Sequence, residues 1–172
     1  MIIDITAAPR ETQGTLRLGG RRFACALGRA GIVRTKCEGD GGTPQGTWPL
    51  REMFYRADRL SPPETGLPLR PLHPSNGWCD AVADPAYNRP VRLPYPASAE
   101  NLWRTDPLYD VIIVLGYNDN PVVPGAGSAI FFHIAQPQAG ALRPTEGCVA
   151  VSLDDMREIL PDCTPKTLMR IG

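Results

Sequence analysis

Apolar residues in this chain fall in short runs, separated by stretches dense in proline and glycine. Residues 2–6 predict a strand. Thr15–Leu18 and Arg22–Leu27 alternate on either side of Gly19-Gly20, the signal of a hairpin with a two-residue turn. Trp48–Tyr55 predicts another strand, with Pro49 pointing to an edge or a bulge because it cannot donate to a ladder. Asp110–Gly116 is the most strongly apolar stretch and predicts a central strand buried on both faces. Ala129-Ile130-Phe131-Phe132, closed by His133, predicts a buried strand, and Cys148-Val149-Ala150-Val151 opens a second. Thr167–Ile171 alternates as a closing strand.

Helical signals are few. Ser98–Arg104 predicts one short helix capped by Ser98 with Trp103 packed inward. Ser152-Leu153-Asp154-Asp155 resembles a capping box and predicts a helix to about Leu160, stopped by Pro161. Gly28–Gly46 reads as a turn-forming loop, since no Gly-Lys-Ser/Thr follows its glycines to make a phosphate cradle. Ser61–Asn76 carries prolines at 62, 63, 68, 71 and 74, too many for regular structure. A loop of that length is a lid, a binding loop or disordered. These elements predict a mainly β chain of one domain, 1–172, with one or two short helices.

Composition narrows the partners. Eighteen basic and eighteen acidic residues balance, so no global field points to nucleic acid or to a membrane surface. No apolar run is long enough for a membrane span. The five cysteines lack paired metal-ligand spacing, and their odd number leaves at least one thiol free. Neither a metal nor an organic cofactor is expected. His73, followed by Pro74, reads as an exposed loop residue; the minor alternatives for Cys79 are a pairing with Cys37 or a metal shared with His73.

One of two histidines ends an apolar run, and a cysteine opens another fifteen residues later. A thiol becomes a strong nucleophile only beside a base or a cation, and an imidazole is such a base. If the two strands pair, His133 and Cys148 come within hydrogen-bond reach. The N–H groups of Gly147 and Cys148 then point at a developing oxyanion, Gly147 having no Cβ to obstruct the approach. The alternative is a structural His and a packed Cys. Trp78, Tyr87 and Asn88 form a second cluster, either an exposed peptide or sugar site or an anchor for the long loop. Asn118 and Asp119 follow the central strand and either orient the imidazole or simply make the turn.

Thr145-Glu146-Gly147-Cys148, with His133 upstream, resembles the signature of the L,D-transpeptidase catalytic-domain family. So does Thr43-Pro44-Gln45-Gly46-Thr47-Trp48 nearer the start. Two positions depart from the family pattern: Glu146 stands where the family usually has His, and Ala150 where it usually has Arg or Asn. The resemblance implies a β-sandwich-like L,D-transpeptidase catalytic fold, with Cys148 as nucleophile, His133 as base and Thr145 and Glu146 beside the substrate. It also implies peptidoglycan stem peptides or muropeptides as substrates. An amine acceptor gives a transpeptidase, and water gives an L,D-carboxypeptidase that trims the terminal D-alanine of recycled muropeptides. A peptide-binding module with an inert Cys148 is the third reading. Residues 1–6 lack the features of a secretory signal. This gives the expectation of a cytoplasmic protein, or a periplasmic one if exported by another route.

Overall fold

In the computed structural model, which describes residues 1–172, the chain opens with β1 (Ile2–Thr6), β2 (Gln13–Leu18) and β3 (Arg21–Ala26). Gly19 and Gly20 have φ of 52° and 85°, the left-handed pair that lets a two-residue hairpin follow the strand twist. The Gly28–Gly46 stretch is not all loop, because β4 (Ile32–Val33) pairs in parallel with β5 (Thr43–Pro44). β6 (Gly46–Tyr55) begins two residues ahead of the predicted strand. β7 (Leu69–Pro71) corrects the expectation of no regular structure in 61–76. It lies on the edge of the sheet, and its bonds use the groups that proline leaves available: Met53 N–H donates to the Pro68 carbonyl at 2.8 Å, and Leu72 N–H to Tyr55 at 2.7 Å.

β8 (Asn76–Cys79), β9 (Pro90–Arg92) and β10 (Ala99–Asn101) make a separate three-stranded antiparallel sheet in the order β10-β8-β9. β10 replaces the helix expected over Ser98–Arg104. Its backbone groups are satisfied across to β8, and the Asn101 side chain accepts from Trp103 N–H at 2.9 Å in a local turn. Asx side chains compete with helix in this way. Trp103 is half-buried, with the Arg56 guanidinium 3.7 Å from its ring centroid.

The second half supplies β11 (Val111–Leu115), β12 (Phe131–Ile134), a small hairpin of β13 (Pro137–Gln138) and β14 (Ala141–Leu142), then β15 (Val149–Val151). Helix α1 (Leu153–Ile159) is capped as predicted, Ser152 Oγ accepting from Asp155 N–H at 3.1 Å, and a 3-10 turn over Leu160–Asp162 carries the chain through Pro161. β16 (Leu168–Ile171) closes the sequence of strands. No helix is long and apolar enough to cross a membrane.

Hydrogen bonding runs β11-β12-β15-β3-β2-β1-β16-β6-β7, and β6 pairs again with β11. The mainly β fold is therefore a sheet closed on itself, with β7 added at an edge. The β6–β11 register slips between Met53 and Leu50, so the bulge that Pro49 predicted falls just beyond it. Inside the ring, 25 buried residues form the main core. A second cluster of ten lies between the ring and the small sheet. β11 is buried on both faces, Ile113 in the main core and Ile112 and Val114 in the second cluster, as its unbroken apolar run predicted. Each such side chain contributes roughly 1.5–3 kcal/mol by burial.

Candidate active site

β12 and β15 run parallel, with Phe132 opposite Val149 and His133 opposite Ala150. This register sets Cys148 beside Phe131, one residue before β15. Cys148 and His133 thus project from the same face of adjoining strands, offset diagonally by two positions. Both line one cavity of about 210 Å³, and both are almost fully buried.

The expected thiol–imidazole hydrogen bond is not formed. Cys148 Sγ instead donates to the Ala129 carbonyl and accepts from Phe131 N–H, each at 3.3 Å. The diagonal offset explains this, since the backbone groups of the neighbouring segment lie closer to the thiol than the imidazole does. His133 Nδ1–H donates to the Ile134 carbonyl at 2.9 Å, which leaves Nε2 as the basic nitrogen. Tyr109 packs edge-on against the imidazole, with centroids 5.2 Å apart.

Burial dominates the electrostatics. It pushes the Cys148 thiol up to about 12; the Glu100 carboxylate adds to that, and Phe131 N–H and Lys36 oppose it. Burial also pushes the His133 imidazole down to about 4, against the pull of its bond to Ile134. At neutral pH the resting pair is therefore a neutral thiol and a neutral imidazole, not an ion pair.

The turn carrying Cys148 is braced from two sides. Thr145 Oγ1 donates to the Cys148 carbonyl at 2.7 Å and accepts from Gly147 N–H at 3.1 Å. The Gly147 N–H is thus already engaged, which corrects its assignment as an oxyanion donor; the Cys148 N–H has no protein acceptor. Gly147 has φ of 138°, and a Cβ there would sit 2.8 Å from the Gly42 carbonyl oxygen, so the close approach predicted for it is to the glycine-rich loop. From that loop the buried Thr43 Oγ1 donates to the Cys148 carbonyl at 3.3 Å and accepts from Gly28 N–H at 2.8 Å. The two segments that carried the family resemblance therefore meet at one carbonyl. Glu146 lines the cavity but is largely exposed and ion-paired to Arg29.

The second cluster is not an exposed plate. Trp78, Tyr87 and Asn88 are buried and none lines the cavity. Asn88 Oδ1 accepts from Trp78 Nε1–H at 2.9 Å and from Ala129 N–H at 3.1 Å, while its Nδ2 donates to the carbonyls of Tyr117 at 3.1 Å and Asn118 at 2.8 Å. Tyr87 O–H donates to Glu38 at 2.5 Å and accepts from Gly127 N–H at 3.0 Å. These residues brace the segment leading into β12 because each carries a polar group that a buried backbone needs. Asn118 likewise folds its own turn, donating to Val123 and Gly127 and accepting from Val123 N–H at 2.8 Å, and Asp119 pairs with Arg51. Neither orients the imidazole; the Ile134 carbonyl does.

Sequence reasoning missed Glu100, Arg104, Tyr109 and Arg143, which complete the cavity wall. Glu100 lay in the segment read as helix, and Arg143 follows the β13–β14 hairpin within a stretch read as connection. All five cysteines are free, with Cys37 exposed, and no group of three or more His, Cys, Asp or Glu side chains is arranged to hold a metal ion. His73 sits in an exposed turn, its Nδ1 2.9 Å from Ser75 Oγ.

Compared with known proteins, residues 4–171 match the YkuD family, described as the L,D-transpeptidase catalytic domain. No curated protein and no solved structure matches the chain. With nearly the whole closed sheet and the Cys148 cavity inside the matched span, the chain belongs to the L,D-transpeptidase catalytic-domain family, cysteine-dependent enzymes that modify peptidoglycan.

Proposed function

We propose that Cys148 is the nucleophile and His133 the base of an acyl transfer on peptidoglycan stem peptides, with an amine as the usual acceptor. The observation that carries this reading is the shared cavity. It holds a thiol and an imidazole on one face of two paired strands, with Nε2 unprotonated and the Cys148 N–H free. Rotation about the Cys148 Cα–Cβ bond releases Sγ from the Ala129 carbonyl toward the imidazole. As Sγ bonds to the carbonyl carbon of the donor, its proton passes to His133 Nε2, and the oxyanion accepts from the Cys148 N–H. Collapse breaks the C–N bond, and the imidazolium returns the proton to the departing amine. The acceptor amine then attacks the thioester, giving its proton to His133, and the thiol is restored.

Transfer is preferred over hydrolysis because the family match, to the L,D-transpeptidase catalytic domain, favours it; Glu146, the carboxylate beside the nucleophile, is ion-paired to Arg29 at the exposed rim. The test is mass spectrometry of a tetrapeptide-stem muropeptide incubated with excess D-methionine, with Cys148→Ala as control. Cys148-dependent exchange of terminal D-alanine for D-methionine is expected. Tripeptide alone would assign the protein as an L,D-carboxypeptidase, and no Cys148-dependent product would remove the reading.

A further inference from the structure

The Ile134 carbonyl orients the imidazole, and Ile134 is in turn tied to a segment that no strand holds. Residues 102–110, between β10 and β11, join no ladder, yet they carry Arg104, Leu108 and Tyr109 into the cavity wall. Ile134 N–H donates to the Leu108 carbonyl at 3.1 Å, and the Tyr109 ring packs edge-on against His133. The Arg104 guanidinium lies 5.2 Å from the centroid of that ring, held by Asp106 through bonds of 2.8 and 2.6 Å. The backbone groups around the base must therefore find partners among side chains.

Two arginines from the turn after β6 supply them. Arg56 Nη1 donates to the Arg104 carbonyl at 2.6 Å. Arg59 takes the next two: Nη2 donates to the Thr105 carbonyl at 3.0 Å, and Nη1 to the Asp106 carbonyl at 3.1 Å and to Asp110 Oδ1 at 2.7 Å. One guanidinium thus joins both ends of the stretch that bears Leu108 and Tyr109. Arg56 is buried, doubly bonded to Asp58 and stacked on Trp103, so it belongs to the fold. Arg59 is different. Its side chain is 31% exposed, it does not line the Cys148 cavity, and it borders a separate hollow of about 500 Å³ beside Val111 and Met156. Its guanidinium donates to this segment and to nothing else.

We propose that Arg59 is a positioning residue for the reaction: from outside the cavity it holds residues 105–110, and through Leu108 and Tyr109 it holds the His133 imidazole. The inference rests on His133 being the base. A planar fork suits the task, since two of its nitrogens reach three acceptors in fixed directions, which one ammonium on a flexible stem does not. Without Arg59, water satisfies the two carbonyls, so the fold persists while the segment loses its rigid cross-link.

The experiment uses the full chain with Cys37→Ser to remove the exposed thiol. With only two histidines, nitrogen-15 labelling at histidine gives separate magnetic-resonance signals for His133 and the exposed His73. In Arg59→Met, hydrogen exchange at His133 Nδ1–H should speed at least about tenfold, as when one charge-assisted hydrogen bond is lost, with His73 unmoved. Acylation of Cys148 by a stem-peptide donor, followed by intact mass, should slow about ten- to a hundredfold at saturating donor, while the half-saturating concentration changes by less than about twofold. Arg59→Lys should recover little of that rate; full recovery would assign the effect to charge alone and overturn the proposal. Arg70→Met, which breaks an exposed pair with Glu52 on the edge strand, should leave both readouts unchanged.

Removing Arg59 leaves the buried Asp110 carboxylate without its cation, so Arg59→Met/Asp110→Asn is the second variant. It should melt closer to the parent protein and acylate as slowly as Arg59→Met. Unchanged exchange at His133 in both variants, or unchanged acylation, would overturn the proposal. So would a raised half-saturating concentration at an unchanged saturating rate, which would place Arg59 in substrate binding. Faster exchange in the variants, with no stem peptide acylating even the parent protein, would leave Arg59 holding His133 and remove the acyl-transfer reading instead.

Discussion

Cys148 Sγ and the Ala129 carbonyl oxygen lie 3.3 Å apart, and this contact holds the resting thiol away from the imidazole. Ala129 has φ of 52°, a left-handed conformation that costs a residue with a Cβ about 1–2 kcal/mol. It is kept there by the bond from its N–H to Asn88 Oδ1 at 3.1 Å, and Asn88 is kept in turn by Trp78. A line of contacts thus runs from the small sheet to the sulfur.

The thiol should therefore behave as a protonated, shielded group. In the Cys37→Ser protein, alkylation of Cys148 by iodoacetamide should rise about tenfold per pH unit from pH 7 to 10, because the thiolate fraction grows that way below a pKa of about 12. A rate that levels off below pH 8 would reveal a resting ion pair and contradict the geometry. Without the Cys37 substitution, the exposed Cys37 should label first.

Asn88→Ala should act on stability before it acts on substrate affinity. It removes the partner of four groups, two N–H donors and two carbonyls, within a buried region. The expected loss is about 3 kcal/mol in urea unfolding. A raised KM with unchanged unfolding would instead restore Asn88 as a substrate contact.

Gly147→Ala places a Cβ 2.8 Å from the Gly42 carbonyl oxygen at a φ that side chains rarely adopt. A stability loss of about 1–3 kcal/mol is expected, with a larger fall in acylation rate than stability alone explains, because the Cys148 N–H moves with the turn. Thermal unfolding and intact-mass acylation of the same preparation separate the two effects.

Much of this architecture was legible locally. The N-terminal hairpin, β11 and the Ser152 cap follow from alternation, from an unbroken apolar run and from an oxygen three residues ahead of an acceptor-seeking N–H. Cys148 and His133 were legible as neighbours because both border apolar runs. What was not legible depends on partners distant in sequence. Ser98–Asn101 is polar and short, and only β8 makes it a strand. Trp78 and Asn88 have the composition of a binding surface, and only the packing of β12 against the small sheet buries them. Glu100 gains its place in the cavity wall from the pairing of β10 with β8 and its hydrogen bond from Tyr109, neither of which a spacing reveals.

Acid should expose the cost of burying His133. Its folded pKa, about 4, lies below the ordinary value of 6.5, so between these two the unfolded chain binds the extra proton and the folded one does not. The contribution is fully present above pH 6.5 and is lost as pH falls toward 4, by about 3 kcal/mol at most. Urea midpoints measured across that window should fall more for the native sequence than for His133→Gln. Parallel curves would mean that His133 is protonated in the folded protein.

Cys148 and His133 stand on the closed ring, whereas Glu100 stands on β10 of the separate sheet, which meets the ring through Trp78 and the Asn88 contacts. The thiol and imidazole of the cavity and the Glu100 carboxylate in its wall thus belong to different hydrogen-bonded units. Residues 76–101 build one wall of the cavity without carrying either reacting group, so substitutions there reach the sulfur only through the wall or through the Trp78–Asn88–Ala129 contacts.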